Sequence, residues 1–159
     1  MQYRVGTGAD AHALAEGRAL ILGGVTVPHT TGLAGHSDGD ALSHAVIDAL
    51  LGAAGAGDIG MHFPPGEPTL AGISSLVLLE RTAGVIAADG WCIVNVDATM
   101  LAQRPRLSPH VGLMRRNIAT ALSVEDQQVS VKATTTDYLG FTGREEGIAA
   151  TAVALLCRP

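Results

Sequence analysis

Asp38-Gly39-Asp40-Ala41-Leu42-Ser43-His44-Ala45-Val46-Ile47-Asp48-Ala49-Leu50-Leu51-Gly52-Ala53-Ala54 decides how the rest of the chain must be arranged. Leu42, Val46, Ala49, Leu50 and Ala53 recur at helical spacing, and Ile47, Leu51 and Ala54 fill a second side. A helix apolar on two sides is covered by protein nearly all round. Ser37 or Asp38 supplies an oxygen for its N-terminal cap. Upstream, Tyr3 to Gly8 and Ala19 to Val27 read as strands, followed by a loop from Pro28 to Gly35. Downstream, the Gly- and Pro-rich stretch Gly55 to Gly72 reads as loop. Ser74 or Ser75 opens a second helix that ends near Gly90, and Trp91 to Leu101 is strand-like. Ser108-Pro109 starts a third helix whose inward stripe is Val111, Met114, Ile118 and Leu122. Gln128 to Thr134 and Ile148 to Cys157 are the last strands, with a loop at Gly140 to Gly147 between them. Helices join some strands but not all, which predicts an α+β two-layer sandwich rather than a doubly wound sheet. A chain of 159 residues is expected to form one domain over 1–159.

Lys plus Arg number 10 against 15 Asp plus Glu, a net charge of −5, and 16% of residues are charged against about 25% in an average soluble domain. At 47% apolar residues the chain is no disordered segment. With no basic stripe it is no general nucleic-acid binder. Met1 to Gly6 holds no apolar signal core, and no run approaches the roughly 18 apolar residues of a membrane span, so a cytoplasmic location is expected. Cys92 and Cys157 lie in apolar runs and read as two buried free thiols. A chain so poor in charge hides part of its outer surface, which predicts a homo-oligomer.

Asp10 and His12 stand two apart on an extended segment, so their side chains point the same way. Alone, such a pair is equally a capping aspartate beside a surface histidine, and a lone helical histidine is commonly a satisfied core residue. His44, however, lies one turn before Asp48, which is expected to hold one ring nitrogen and aim the other. Asp10, His12 and His44 then make three ligands with a fourth tetrahedral position open, a catalytic type of site for which zinc is the first candidate. His36 and Ser37 precede the long helix, whose free N–H groups suit a phosphate. Thr134-Thr135-Thr136 ends a strand; threonines there are also plain strand formers, but Asp137 directly after them suits a second, oxygen-preferring cation such as Mg²⁺. An acidic chain that binds phosphate must neutralise it with metals, helix ends and hydroxyls, and all three are present. There is no Walker loop and no G-x-S-x-G elbow.

On these residues the chain resembles the 2-C-methyl-D-erythritol 2,4-cyclodiphosphate synthases of the non-mevalonate isoprenoid pathway. The resemblance rests on Arg4 to His12, Gly35 to Asp40 with His44, Leu51 to Gly60, Ala102-Gln103-Arg104-Pro105, Lys132 to Thr136 and Gly140 to Arg144. It implies a ferredoxin-like homotrimer with active sites between subunits, in which a cytidylated methylerythritol 2-phosphate closes on itself and releases CMP. Carried over, Asp10, His12 and His44 bind zinc and a phosphate oxygen, while His36 and Thr135 stabilise the transition state. Ser37, Asp58, Ile59 and Gly60 hold the methylerythritol part, with Phe63 and Glu67 in a loop over it. Ala102, Gln103, Arg104, Pro105, Arg106, Leu107 and Ser108, with Ala133 and Thr134, form the cytidine pocket, and Thr136 is a further substrate-binding residue. Asp137 faces Mg²⁺ or Mn²⁺ between the phosphates. Phe141 and Arg144 fall near the trimer axis, where an isoprenoid diphosphate is expected.

Departures from the family pattern are Asp137 for Glu, Arg106 for Lys, and Phe63-Pro64-Pro65-Gly66-Glu67-Pro68 where Phe-Pro-Asp-x-Asp-Pro is usual. Two other readings use the same residues: a zinc-dependent phosphohydrolase, which has no use for the Ala102 to Ser108 segment, and a non-catalytic trimer that binds isoprenoid diphosphates.

Overall fold

A computed structural model describes residues 1–159. The first strand, β1 (Gln2–Ala15), runs well past Gly8 because it stays paired with β7 (Gly147–Arg158), antiparallel from Gln2↔Arg158 to Ala13↔Gly147. On its other side β7 pairs with β5 (Cys92–Leu101), which lies parallel to β6 (Val129–Thr134). The two-residue β4 (Gly32–Leu33) completes a mixed sheet of order β4-β1-β7-β5-β6. Ala19 to Val27 is not one strand but a hairpin, β2 (Leu20–Leu22) and β3 (Val25–Val27). Gly23 and Gly24, at φ 55° and 68°, occupy the two positive-φ positions of its turn.

Helix α1 (Ala41–Ala54) is buried on nearly every side, as its composition requires. Its cap is Asp40 rather than Ser37 or Asp38, with Oδ1 accepting from the Ser43 N–H at 3.0 Å. The segment expected to be loop contains two short turns, α2 (Ile59–His62), capped by Asp58, and a 3-10 turn over Pro68–Leu70. Helix α3 (Ser75–Ala88) takes Ser74 as its cap. Helix α4 (Val111–Leu122) starts later than Ser108-Pro109, because the His110 N–H bonds the Leu107 carbonyl and closes a separate turn first. A last short turn, α5 (Gly140–Gly143), precedes β7.

Helix α1 packs directly on β1, and the fit is tight. A Cβ on Gly6 would sit 2.1 Å from the Ala49 carbonyl oxygen, and one on Gly8 would sit 2.0 Å from that of Ala45. Ala45, Ala49 and Ala53, one turn apart, give the helix a small-residue stripe that lets its backbone approach the strand. Gly8→Ala is therefore expected to cost about 3 kcal/mol through overpacking against backbone. Urea denaturation checks this, and an unchanged midpoint would mean that α1 can lift off the strand.

The opposite face of the sheet carries Val5 and Val153, exposed at 65% and 44%, so the low charge does leave apolar surface uncovered by the chain itself. Cys92 and Cys157 fall on that face, opposite one another in register, so one is exposed and the other half-buried rather than both being core thiols. No helix is long and apolar enough to cross a membrane.

Candidate active site

The contact that seats α1 on β1 also delivers three side chains to one point. Gly6, Gly8, Asp10 and His12 share the helix-facing side of β1, and His44 immediately precedes Ala45, whose carbonyl overlies Gly8. Asp10 Oδ2 lies 2.8 Å from His12 Nε2 and 2.9 Å from His44 Nδ1, and those two nitrogens are 3.2 Å apart. The other nitrogen of His12, Nδ1, donates to the Ala34 carbonyl. A carbonyl only accepts, so Nδ1 keeps its hydrogen and, in the neutral ring that a metal binds, Nε2 is the nitrogen that offers a lone pair. One carboxylate and two imidazoles, with ligand atoms within 4.8 Å of one another, fit a tetrahedral divalent ion with one position to spare.

Electrostatics bear on the same cluster. Burial works to raise the Asp10 carboxyl, but hydrogen bonds and charge from His12 and His44 overcome it and hold the group well below the usual carboxylate range. The hydrogen bond to Asp10, against the opposing effect of burial, pushes His12 up.

Asp48 does not hold His44. Its Oδ1 accepts the Ile59 N–H at 2.8 Å, a donor that the start of α2 leaves without a helical partner, and so fastens α2 beside the site. His44 Nε2 instead meets Ser75 Oγ at 2.9 Å and Ser37 Oγ at 3.1 Å. The reading of the sequence gave Ser75 no role beyond helix entry.

These side chains line a cavity of about 270 Å³. Asp10, His12, His36, Ser37, His44 and Asp48 are among its polar lining, and Ile59, Phe63, Pro65, Leu70, Ile73 and Leu78 are apolar. Gly60 also reaches it, whereas Asp58 is spent on the α2 cap, accepting the Met61 N–H at 2.9 Å. His36 Nε2 donates to the backbone carbonyl of Glu67 at 2.9 Å. The altered loop therefore folds over the cavity through its main chain, a contact for which the missing carboxylate at Pro65 is not needed.

A second cavity, about 400 Å³, is lined by Ala102, Gln103, Arg104, Pro105, Arg106, Leu107 and Ser108 with Ala133, Thr134, Thr135 and Tyr138. Gln103 Oε1 accepts the Tyr138 N–H at 3.0 Å, which ties this segment to the threonine run. Tyr138 was not among the expected residues. Asp137 and Tyr138 both turn the chain at positive φ, 51° and 65°, and the Thr135 hydroxyl donates to Asp137 at 3.4 Å. Thr136 bonds the Thr142 hydroxyl at 2.8 Å instead of facing the cavity. A third cavity, about 300 Å³, includes His12, Phe141 and Glu146 in its lining. Arg144 stands beside it, donating to Glu146 at 2.8 and 3.2 Å.

Within one chain the first two cavities do not merge. The register Asp10↔Ala150, Met100↔Ala150 and Met100↔Ala133 sets Asp10 three strands from Ala133. That is roughly 14 Å across the sheet. His36 and Thr135 therefore belong to different cavities of one protomer.

The YgbB family model matches residues 3–157. The chain is 58% identical over 153 residues to the 2-C-methyl-D-erythritol 2,4-cyclodiphosphate synthase of Syntrophomonas wolfei, covering 96% of this chain and 98% of that protein. It is also 58% identical over 153 residues to the same enzyme of Pseudomonas putida, covering 96% of this chain and 98% of the relative. Among solved structures, an IspF–CDP complex from Plasmodium falciparum superposes with a TM-score of 0.85 at 34% identity, over 98% of this chain and 96% of that one. A bifunctional IspDF from Campylobacter jejuni superposes with a TM-score of 0.95 at 39% identity, over 99% of this chain and 43% of that one. Matched from end to end in sequence and in fold, the chain belongs to the YgbB family, that of the 2-C-methyl-D-erythritol 2,4-cyclodiphosphate synthases.

Proposed function

We infer that this chain converts 4-diphosphocytidyl-2-C-methyl-D-erythritol 2-phosphate to 2-C-methyl-D-erythritol 2,4-cyclodiphosphate and CMP. The observation that carries this reading, in a chain of this family, is the Asp10–His12–His44 cluster in the wall of a cavity with an apolar side. An oxygen of the 2-phosphate attacks the β-phosphorus, and the bond from that phosphorus to the CMP oxygen breaks. Catalysis of such a transfer is positioning and charge stabilisation. Zinc held by Asp10, His12 and His44 would supply Lewis-acid polarisation of a phosphate oxygen, with Mg²⁺ or Mn²⁺ held near Asp137.

The residues themselves have the remaining work. Ser37, Ile59 and Gly60, under the loop of Phe63 and Glu67, would hold the methylerythritol. The Ala102 to Ser108 segment, with Ala133 and Thr134, would take the cytidine. His36 and Thr135 would donate to phosphoryl oxygens as charge builds on them. The apolar wall of Ile59, Phe63, Leu70 and Ile73 excludes water, which favours attack by the tethered phosphate over hydrolysis.

The separation of the two cavities in one protomer supports a homotrimer of two-layer, ferredoxin-like subunits. In it the metal cluster of one copy meets the threonine run of the next. The exposed sheet face at Val5 and Val153 is the surface such an assembly would cover. Phe141 and Arg144 would then border an axial space for an isoprenoid diphosphate.

Phosphorus NMR of the purified protein with the cytidylated substrate and Mg²⁺ tests the reaction. A cyclic diphosphate appearing with CMP, and lost on chelation, is the expected result. Release of a linear phosphate would replace the reading with that of a hydrolase.

A further inference from the structure

Ser75, the first residue of α3, is completely buried against Asp38 and His44 at the start of α1. The preceding serine has taken over helix entry, with Ser74 Oγ accepting the Leu76 N–H at 3.3 Å, so the Ser75 hydroxyl is free to turn inward. It donates to Asp38 Oδ1 at 2.5 Å, while the Ser75 N–H donates to Asp38 Oδ2 at 2.9 Å. Both oxygens of Asp38 are thus engaged by one residue.

A serine hydroxyl has a single proton. Once the Asp38 carboxylate, which only accepts, holds that proton, Ser75 Oγ can present nothing but lone pairs to His44 Nε2 at 2.9 Å. In the neutral ring that a metal binds, Nε2 then carries the hydrogen, and Nδ1, beside Asp10 Oδ2 and His12 Nε2, is the nitrogen that offers a lone pair. The Ala34 carbonyl acts on His12 in the same way from the other side. Two acceptors, one on each imidazole, therefore orient both bare nitrogens toward the same point. Ser37 Oγ, at 3.1 Å from the same Nε2, is a second contact and has no carboxylate behind it to hold its proton.

We propose that Asp38 and Ser75 are positioning residues that set the tautomer and orientation of the His44 ring, making its Nδ1 a preformed ligand for a divalent metal. The proposal rests on the metal reading given above. Neither residue touches the metal position or the substrate; they act through His44. Without the pair, His44 can place its hydrogen on Nδ1, and a metal must then displace that proton and re-form the ring's outer hydrogen bond.

The test titrates Zn²⁺ against a chromophoric chelator into the metal-free, full-length protein, and records long-range proton–nitrogen correlation spectra of the zinc-loaded forms. Ser75→Ala is expected to bind zinc roughly 10–100-fold more weakly, the usual effect of losing an outer partner of a ligating histidine. Asp38→Asn should shift affinity in the same direction, because the amide can donate to Ser75 and free its proton for His44 Nε2. Ser75→Thr retains the hydroxyl and should stay within about threefold of the parent chain. In the parent and in Ser75→Thr, the His44 signals should show zinc on Nδ1 and hydrogen on Nε2. Parent-like affinity and an unchanged His44 pattern in Ser75→Ala would overturn the proposal and leave the metal reading standing. A parent chain that binds no zinc would remove both. Should Ser75→Ala fail to fold, Asp38→Asn, at a half-buried position, decides between the same two outcomes.

Discussion

Replacing His44 with alanine is expected to empty the divalent site and lower turnover by a factor on the order of a thousand, since a Lewis acid at a transferring phosphoryl group contributes several kcal/mol. The reason is geometric. His44 Nδ1 lies 2.9 Å from Asp10 and 3.2 Å from His12, so its loss leaves two ligands where the cluster had three. Two ligands do not make a tetrahedral site with a single open position. The variant should fold, because the small side chain stays on a helix already held by Leu42, Val46, Ile47 and Leu50. Metal content and the rate of CMP release, measured on the same preparation, check the prediction together. Parent-like turnover at full metal occupancy would exclude His44 as a ligand.

Asp40→Ala is expected to be the most damaging single change to stability, at about 4 kcal/mol. Asp40 is fully buried and joins two parts of the fold. As the α1 cap it accepts from the Ser43 N–H at 3.0 Å and the Ser43 hydroxyl at 2.8 Å. It also accepts the N–H groups of Gly23 and Gly24, at 2.9 and 2.8 Å, which pins the β2–β3 turn to the helix. Burial pushes its carboxyl up, against the backbone donors from Ser43, Gly24 and Gly23 that favour the charged form. Alanine removes a cap contributing about 1 kcal/mol and strands one buried and one half-buried hairpin donor, at roughly 1–3 kcal/mol each. For a chain of this size the melting midpoint should fall by roughly 12 °C, compared at equal protomer concentration. Asp40→Asn keeps one acceptor oxygen but turns an NH₂ toward a backbone donor, so it should cost about 2 kcal/mol. A midpoint within about 2 °C of the parent for Asp40→Ala would mean that water takes over these donors.

Local spacing carried much of this molecule. Apolar recurrence from Leu42 to Ala53, and alternation through Val129 and Val131, placed helix and strand because both depend on residues a few positions apart. The reading of Asp10 and His12 as a pair is equally local, since side chains two apart on extended backbone share a face. Ala19 to Val27 was misjudged because Gly23-Gly24 interrupts an otherwise continuous apolar run, and only the pairing of Leu22 with Val25 reveals the turn. The cysteines were misjudged because their strands have two faces. Both side chains fall on the face that no helix of the chain covers.

Residue identity and spacing were enough for which atoms could serve as ligands, for the long helix and most of the strands, and for the family that the chain resembles. The rest depends on tertiary contacts: that Gly6 and Gly8 admit the α1 backbone, that Ser75 rather than Asp48 meets His44, and that Ala133 lies three strand spacings across the sheet from Asp10. Periodicity records what neighbouring residues do together. The direction of a hydrogen bond and the order of strands arise between segments far apart in the chain, and no local pattern contains them.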